Sequence, residues 1–467
     1  MIKSSFSLSN LLILSIHVLL SLTPTTVSAQ DVVNIINADR VRAVQSEQGL
    51  IRKLNGNVTL RTRDADLKAD SAWHYVDLGE IHGFSDVSIN TSKETIFSDF
   101  LRYDINNEIS TLQGNVIIVN ENTKIYSESA LYSFLTEIAL FNDPIWMQDS
   151  TGFMRANSGV YFNQNDSVVF FGNVQLADST QYIEADSMFT SRRTQTYELF
   201  GNVYIQSLEN RTDIKGNYVY ADSTGKRIIS DGASLRRFNT EATDTTWLTA
   251  AYIEMNKFDT LYVIDAIGMV ESYQKENSAI SDTLHYDERT GLFNLTSNPS
   301  VWYKNIQLTG YQIDIYTEND SLKTLFALGN AFAVQEDSVS LRFNQMKGDS
   351  ITVYFADNEV DFILTDGNAE LILHYTDDED NPDGAVTVRS RYILIYFEDG
   401  DAADLKAVND IQGETLSESD NPEALRLDGF LWTPERRPVR PEIIFEPRLD
   451  PIPTAPPFIR NNFQINQ

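Results

Sequence analysis

The chain has 467 residues, no cysteine, and 67 acidic against 36 basic side chains, a formal charge of −31. That acidity excludes a role resting on neutralised phosphates, as nucleic-acid binding does. The lack of cysteine excludes a disulfide framework, so packing or repeat stacking must supply stability.

Residues 1–29 read as a cleavable signal peptide. Lys3 is their only charge, and Leu11 to Leu22 is apolar apart from Ser15, His17 and Ser21. Val27-Ser28-Ala29 supplies a small-x-small site, so cleavage is expected after Ala29. The run is short for a membrane span, and Gln30, not cysteine, follows it, against a lipoprotein anchor. Loss of Lys3 takes the charge from −31 to −32.

From residue 30 a unit of 29 residues recurs. Tripeptides resembling Ala-Asp-Ser centre on Asp70, Asp99, Glu128, Asn157 and Asp186, four equal steps of 29. Looser copies centre on Asn217, Ala251, Asp282, Tyr311, Asp349 and Arg391, giving about eleven strand-turn-strand units. The residue before each centre is small, as in Ala69, Ser98 and Gly216, and the residue three before is apolar, as in Leu67, Ile96 and Ile214. Between centres lies a Gly-Asn-Val motif, at Gly56, Gly114, Gly172 and Gly201, with looser copies at Gly83, Gly232, Gly268, Gly329, Gly367 and Gly413. Asn142 and Asn298 stand where the glycine is missing. Gly and Asn tolerate positive φ, so each motif predicts a bulge or corner entering a strand.

Apolar and polar residues alternate along these segments, as in Val58-Thr59-Leu60 and Val87-Ser88-Ile89, which is the strand period. The phase flips at each centre: apolar residues lie three before it and two and four after it, as in Leu101 and Tyr103. A flip needs a bend in the strand. The fold class is therefore all-β: an elongated repeat of bent strands wrapped about an apolar interior. One strand per unit in each of two sheets would give a length of roughly 50 Å. The centres' carboxylates would repel one another in a ladder, so they are expected to face solvent.

The strongest repeats span 30–220, more divergent ones 221–416, and a tail follows at 417–467. Residues 434–467 hold eight of the thirteen prolines, with Arg436, Arg437 and Arg440 among them. Proline excludes regular sheet there. A flexible, polyproline-like tail is the plain expectation, a docking peptide the functional one.

A signal peptide followed by these phrases resembles the OstA/LptA-like family of periplasmic lipopolysaccharide-transport proteins. The phrases are Leu54-Asn55-Gly56-Asn57-Val58, Leu112-Gln113-Gly114-Asn115-Val116, Ile125-Tyr126-Ser127-Glu128-Ser129-Ala130 and Ile183-Glu184-Ala185-Asp186-Ser187. The resemblance covers residues 31–416 and implies a β-jellyroll of two facing antiparallel sheets. It implies a periplasmic location, on the route to the outer membrane. It implies lipopolysaccharide as partner, its lipid A acyl chains shielded inside the roll. It further implies end-to-end strand addition to other transport components or to a second copy. The chain departs from the pattern in having more repeats than the short bridge proteins and no C-terminal barrel sequence.

On that reading the lipid-facing positions are Val58, Leu60, Val116, Ile118, Val174, Leu176, Val203 and Ile205. The same residues equally suit a closed core, because lipid and core demand the same polarity. Nothing points to a catalytic residue, a metal site or a cofactor, so no enzyme is expected. His74 and His285 read as occupants of the slot where Tyr is usual, and Asp377–Asp383 as a solvated loop lacking spaced calcium ligands. A secreted β-solenoid or adhesin, and a polysaccharide-acting β-helix enzyme, remain the alternatives.

Overall fold

The computed structural model describes residues 33–452 apart from 64, 121–122, 210, 239–244, 320, 338–341, 357–358, 378, 380, 399–400 and 422–423. The signal peptide lies outside the described residues. The described chain is all-β, with antiparallel strands joined by tight turns and only short 3-10 turns besides. It divides into two compact units, residues 1–113 and 114–467.

In the first unit Gly49–Arg61, Asp66–Tyr75, Glu80–Asn90 and Glu94–Asp104 form a meander, each strand pairing with the next. Every ladder breaks register in the middle: between Asn55 and Val58 in the first pair, Lys68 and Ser71 in the second, Phe84 and Val87 in the third. Each strand is thus bent into two halves, and the halves pair into two sheets. The second unit repeats this. Its strand Asn277–Asp287 pairs through Thr283–Asp287 with Leu292–Thr296 and through Asn277–Ile280 with the separate strand Ser300–Tyr303.

The bend explains the phase flip. At Asp349 the positions three before, two after and four after, Met346, Ile351 and Val353, are all buried, while Asp349 itself is exposed. All eleven centres, from Asp70 to Arg391, are exposed, the carboxylates among them as expected. Their role is to close the corner opposite. Asp39 N donates to Gly56 O at 2.9 Å, Asn157 N to Gly172 O at 2.9 Å, and Tyr311 N to Gly329 O at 3.0 Å. The side chains add a second tie: Asn57 Nδ2 donates to Asp39 at 3.2 Å, Asn202 to Asp186 at 2.8 Å and Asn368 to Asp349 at 3.2 Å. Asp39 is thus a further centre, preceding the first one read from the sequence.

The corners need positive φ, which glycine and asparagine supply: Gly56 and Asn57 have φ of 77° and 47°. Gly56 is fixed twice over, because a Cβ there would sit 2.2 Å from Asp39 Oδ2. Two expected corners are misplaced. Gly83 and Gly413 lie in ordinary strand; the corners are Ser85-Asp86 and Asn409-Asp410, all at positive φ. Where Asn142 and Asn298 stand in the glycine's place, the strand breaks outright, at Asn142 to Pro144 and at Ser297 to Pro299. Each 29-residue unit also carries two bent strands, not one per sheet, so it advances the sheets by about 9.6 Å, twice the expected step.

The tail departs most from expectation. Residues 424–452 form a strap along the second unit, running back against the order of its strands. Gln345 Nε2 donates to Leu425 O at 3.1 Å, and its Oε1 accepts from Leu427 N at 2.8 Å. Gln307 repeats the clamp with Leu431 O at 3.1 Å and Thr433 N at 2.9 Å. Further along, Phe445 packs with Trp247 and Tyr204 in a buried cluster. Glu184, fully buried, accepts from Arg448 N at 2.8 Å and Leu449 N at 3.0 Å. Gln175 Nε2 reaches Asp450 O at 2.7 Å. These side chains alternate along their strands with the interior residues, so the strap lies on the outer face. Proline does bar this segment from the sheet ladder, but side chains replace the ladder's backbone partners.

Two outcomes follow for stability. Gly56→Ala should cost the first unit about 1–3 kcal/mol, the range for a strained αL residue; a urea midpoint unchanged from wild type would refute the corner argument. Phe445→Ala removes a buried ring, at about 3–5 kcal/mol. Trypsin should then cut at Arg436 or Arg440 many times faster; equal cutting rates would mean the strap is not held by that ring.

Candidate functional site

The eight inward positions lie as the alternation requires. Val58, Leu60, Val116, Ile118, Val174, Leu176, Val203 and Ile205 are all buried, Leu176 the most open at 8%. Their cross-strand neighbours are apolar too: Leu60 faces Leu67, and Ile205 faces both Ile183 and Ile214.

One open space lies in the more divergent half. A cavity of about 440 Å³ sits between the half-sheets of the second unit. Leu284, Phe293, Leu295, Val301, Ile315 and Leu325 form its apolar wall. Its rim is polar, made by the turn Gln274-Lys275-Glu276-Asn277 with Thr246 and Thr317. The size falls in the range of small-ligand sites. The broken strands nearby account for its position. Leu292–Thr296 and Ser300–Tyr303 span only five and four residues, separated by the proline-containing corner. No charged side chain is among the wall residues named, so the cavity suits an apolar group whose polar end stays at the rim.

The histidines part company. His74 is buried and occupies the slot filled by Tyr103 and Tyr132 in later units. Its Nδ1 has no hydrogen-bond partner among the described residues. Burial, and then the charge of Arg52, hold its pKa below the ordinary value. His285 is not in the slot: it faces solvent beside Asp265 at 2.7 Å, and Tyr286 takes the inward place. In the acidic loop Asp377 accepts from Glu379 N and Asn381 N, both at 2.9 Å, as a turn does. Among the described residues, no three His, Asp or Glu side chains converge as a metal group.

The ends of the sheets are exposed. Among the described residues, Asn34–Asn37 and Arg40–Ser46 pair only with Gly49–Arg61, and Asp401–Val408 and Gln412–Ser417 only with Pro382–Glu398.

Because His74 titrates lower in the folded than in the unfolded chain, its contribution is complete above the unfolded value and is lost as pH falls below it. His74→Tyr should therefore flatten the decline in first-unit stability between about pH 7 and pH 5. Urea titrations of both proteins across that window test this; parallel declines would refute it.

Residues 30–186 match the family model described as OstA-like protein. No curated protein matches the chain. Among solved structures, the chain is similar to LptH from Pseudomonas aeruginosa, described as the LptA-homologous periplasmic component of a lipopolysaccharide transport device. The likeness has 13% identity and a TM-score of 0.24, over 28% of this chain and 82% of that one. Over residues 30–186 the chain is thus similar to the OstA-like family.

Proposed function

We propose that the protein is a periplasmic lipopolysaccharide-binding bridge or scaffold that shields acyl chains on their way to the outer membrane. The observation that carries this reading is the apolar cavity between the half-sheets, walled by Leu295, Ile315 and Leu325 and rimmed by polar side chains. The OstA-like match over residues 30–186 supports the choice of cargo class. An acyl chain entering such a space leaves water at a gain of about 0.8 kcal/mol per methylene. The mechanism is passive: the protein lowers the cost of exposing the chains and supplies no energy for direction. Polar head groups stay at the rim, where Lys275 offers a cation for phosphate. Val58, Leu60, Val116, Ile118, Val174, Leu176, Val203 and Ile205 are the buried apolar positions of each unit's own interior and are proposed to face acyl chains there. The exposed end strands offer unpaired backbone for strand addition by a transport partner or a second copy. The signal peptide expected at residues 1–29 agrees with export.

A photoreactive residue placed at Leu295 or Leu325 in residues 30–467 should crosslink to lipopolysaccharide. Ile118, Leu176 and Ile205 should crosslink weakly, and the exposed Asp99 and Asp186 not at all. Absence of any crosslink in folded protein would overturn the cargo assignment.

A further inference from the structure

We propose that Arg437 of the C-terminal strap is a positioning residue for the cavity: it pins the two turns that make and back its rim. Its side chain spends three nitrogens on them. Nε donates to Ser278 Oγ at 3.1 Å, Nη2 to Glu276 O at 3.1 Å, and Nη1 to Lys304 O at 2.5 Å. Glu276 belongs to the rim turn and Ser278 to the strand that leaves it, and both border the cavity. That turn is narrow, closed by Gln274 N to Asn277 O at 2.7 Å and Asn277 N to Gln274 O at 3.2 Å. Lys304 opens the neighbouring turn, and its N–H donates to Glu276 O at 3.1 Å. One guanidinium therefore ties both turns to the strap.

The strap holds Arg437 in place for this. Pro434–Arg436 forms a 3-10 turn in which Arg437 N donates to Pro434 O at 3.1 Å. Pro438, the next residue, is buried. On the strap's upstream side the Gln307 clamp fixes Leu431 and Thr433. The guanidinium's planar fork suits three acceptors set around it, and a lysine ammonium on a flexible stem does not reproduce that. The contact is specific to this arginine: Arg440 lies over the Trp247 ring instead, 5.6 Å from its centroid. Ser278 and Ala279 are neighbours in one strand, so their side chains take opposite faces: Ser278 meets the strap, and Ala279 lies among the wall residues. A strap on the outside thus sets the position of the wall within. The consequence for an acyl ligand rests on the function proposed above; the hold on the rim does not.

The test uses residues 30–467 as wild type, Arg437→Ala, Arg437→Lys and the control Arg440→Ala. Amide hydrogen exchange is read at Asn277 and Lys304 on the turns, and at Leu449, held by Glu184 farther along the strap. Loss of hydrogen bonds from a charged group should speed exchange at Asn277 and Lys304 about tenfold or more in Arg437→Ala. Arg437→Lys should recover only part of the protection, while Leu449 and the Arg440→Ala protein stay as wild type. Association of a fluorophore-labelled sixteen-carbon fatty acid should be several times faster in Arg437→Ala, because the rim opens more often. Unchanged exchange at Asn277 and Lys304, or an equal rise at Leu449, would overturn the proposal. If the exchange pattern holds and the fatty acid binds neither protein, the pinning stands and the acyl reading falls. Should Arg437→Ala fail to fold, the Arg437→Lys protein decides by the same amides.

Discussion

A strand that keeps its side-chain alternation can bury only one face, and paired strands here escape that limit together at a corner. One strand of the pair puts two consecutive residues at positive φ there, the facing strand switches its inward phase across its exposed centre, and both halves of each then face the same interior. The corner's carbonyl needs a donor, and its glycine must fit the space left beside it. The exposed centre of the facing strand supplies that donor and fills that space so that only glycine fits, as Asp39 does for Gly56. Carboxylate centres are common because they also hold the corner's asparagine amide, yet Tyr311 serves through its backbone and hydroxyl. Chemistry at the centre can therefore vary widely while the geometry persists, which is why the repeat continues structurally well past residue 186.

This geometry was readable in the sequence because it obeys local rules. The phase flip, small residue and Gly-Asn pair each report a backbone constraint within a few residues. The misreadings at Gly83 and Gly413 came from taking glycine as the marker, when Ser85-Asp86 and Asn409-Asp410 adopt the same conformation without it. His285 was assigned to the slot through its residue type, although its position is one short of the inward place. Counting strands failed for a different reason: the turns at Asp77–Gly79 and Thr91–Lys93 look alike in composition, but only pairing shows that both reverse the chain.

The cavity and strap were illegible for a physical reason. Apolar wall and apolar core have one polarity, so Leu295 and Ile205 look equivalent until neighbouring volumes are known. The strap depends on contacts separated by 80 to 275 residues, and no local period records those. One trace was present. Outward positions in the first unit include the polar Thr59, Lys68 and Ser88, and its outward ring Phe97 is only half-buried. In the second unit the corresponding face carries Tyr204, Trp247 and Trp302, all buried, which is the mark of a covered surface. Gln307 and Gln345 then offer a donor and an acceptor two residues apart along the strap, imitating a neighbouring strand that proline could not provide.

The direction of the strap also fixes a chronology. Its partners run from Gln345 back to Gln175, while synthesis delivers Gln175 first and Arg448 last. The roll must therefore form while the outer face is still wet. Its glutamines and Glu184 are tolerable in that interval because water satisfies them. Trp247 and Tyr204 are the exception, an apolar patch exposed until Phe445 arrives. Assembly of the second unit is thus sealed by residues 424–452, and a protein truncated before residue 424 would resemble an intermediate arrested just short of that step.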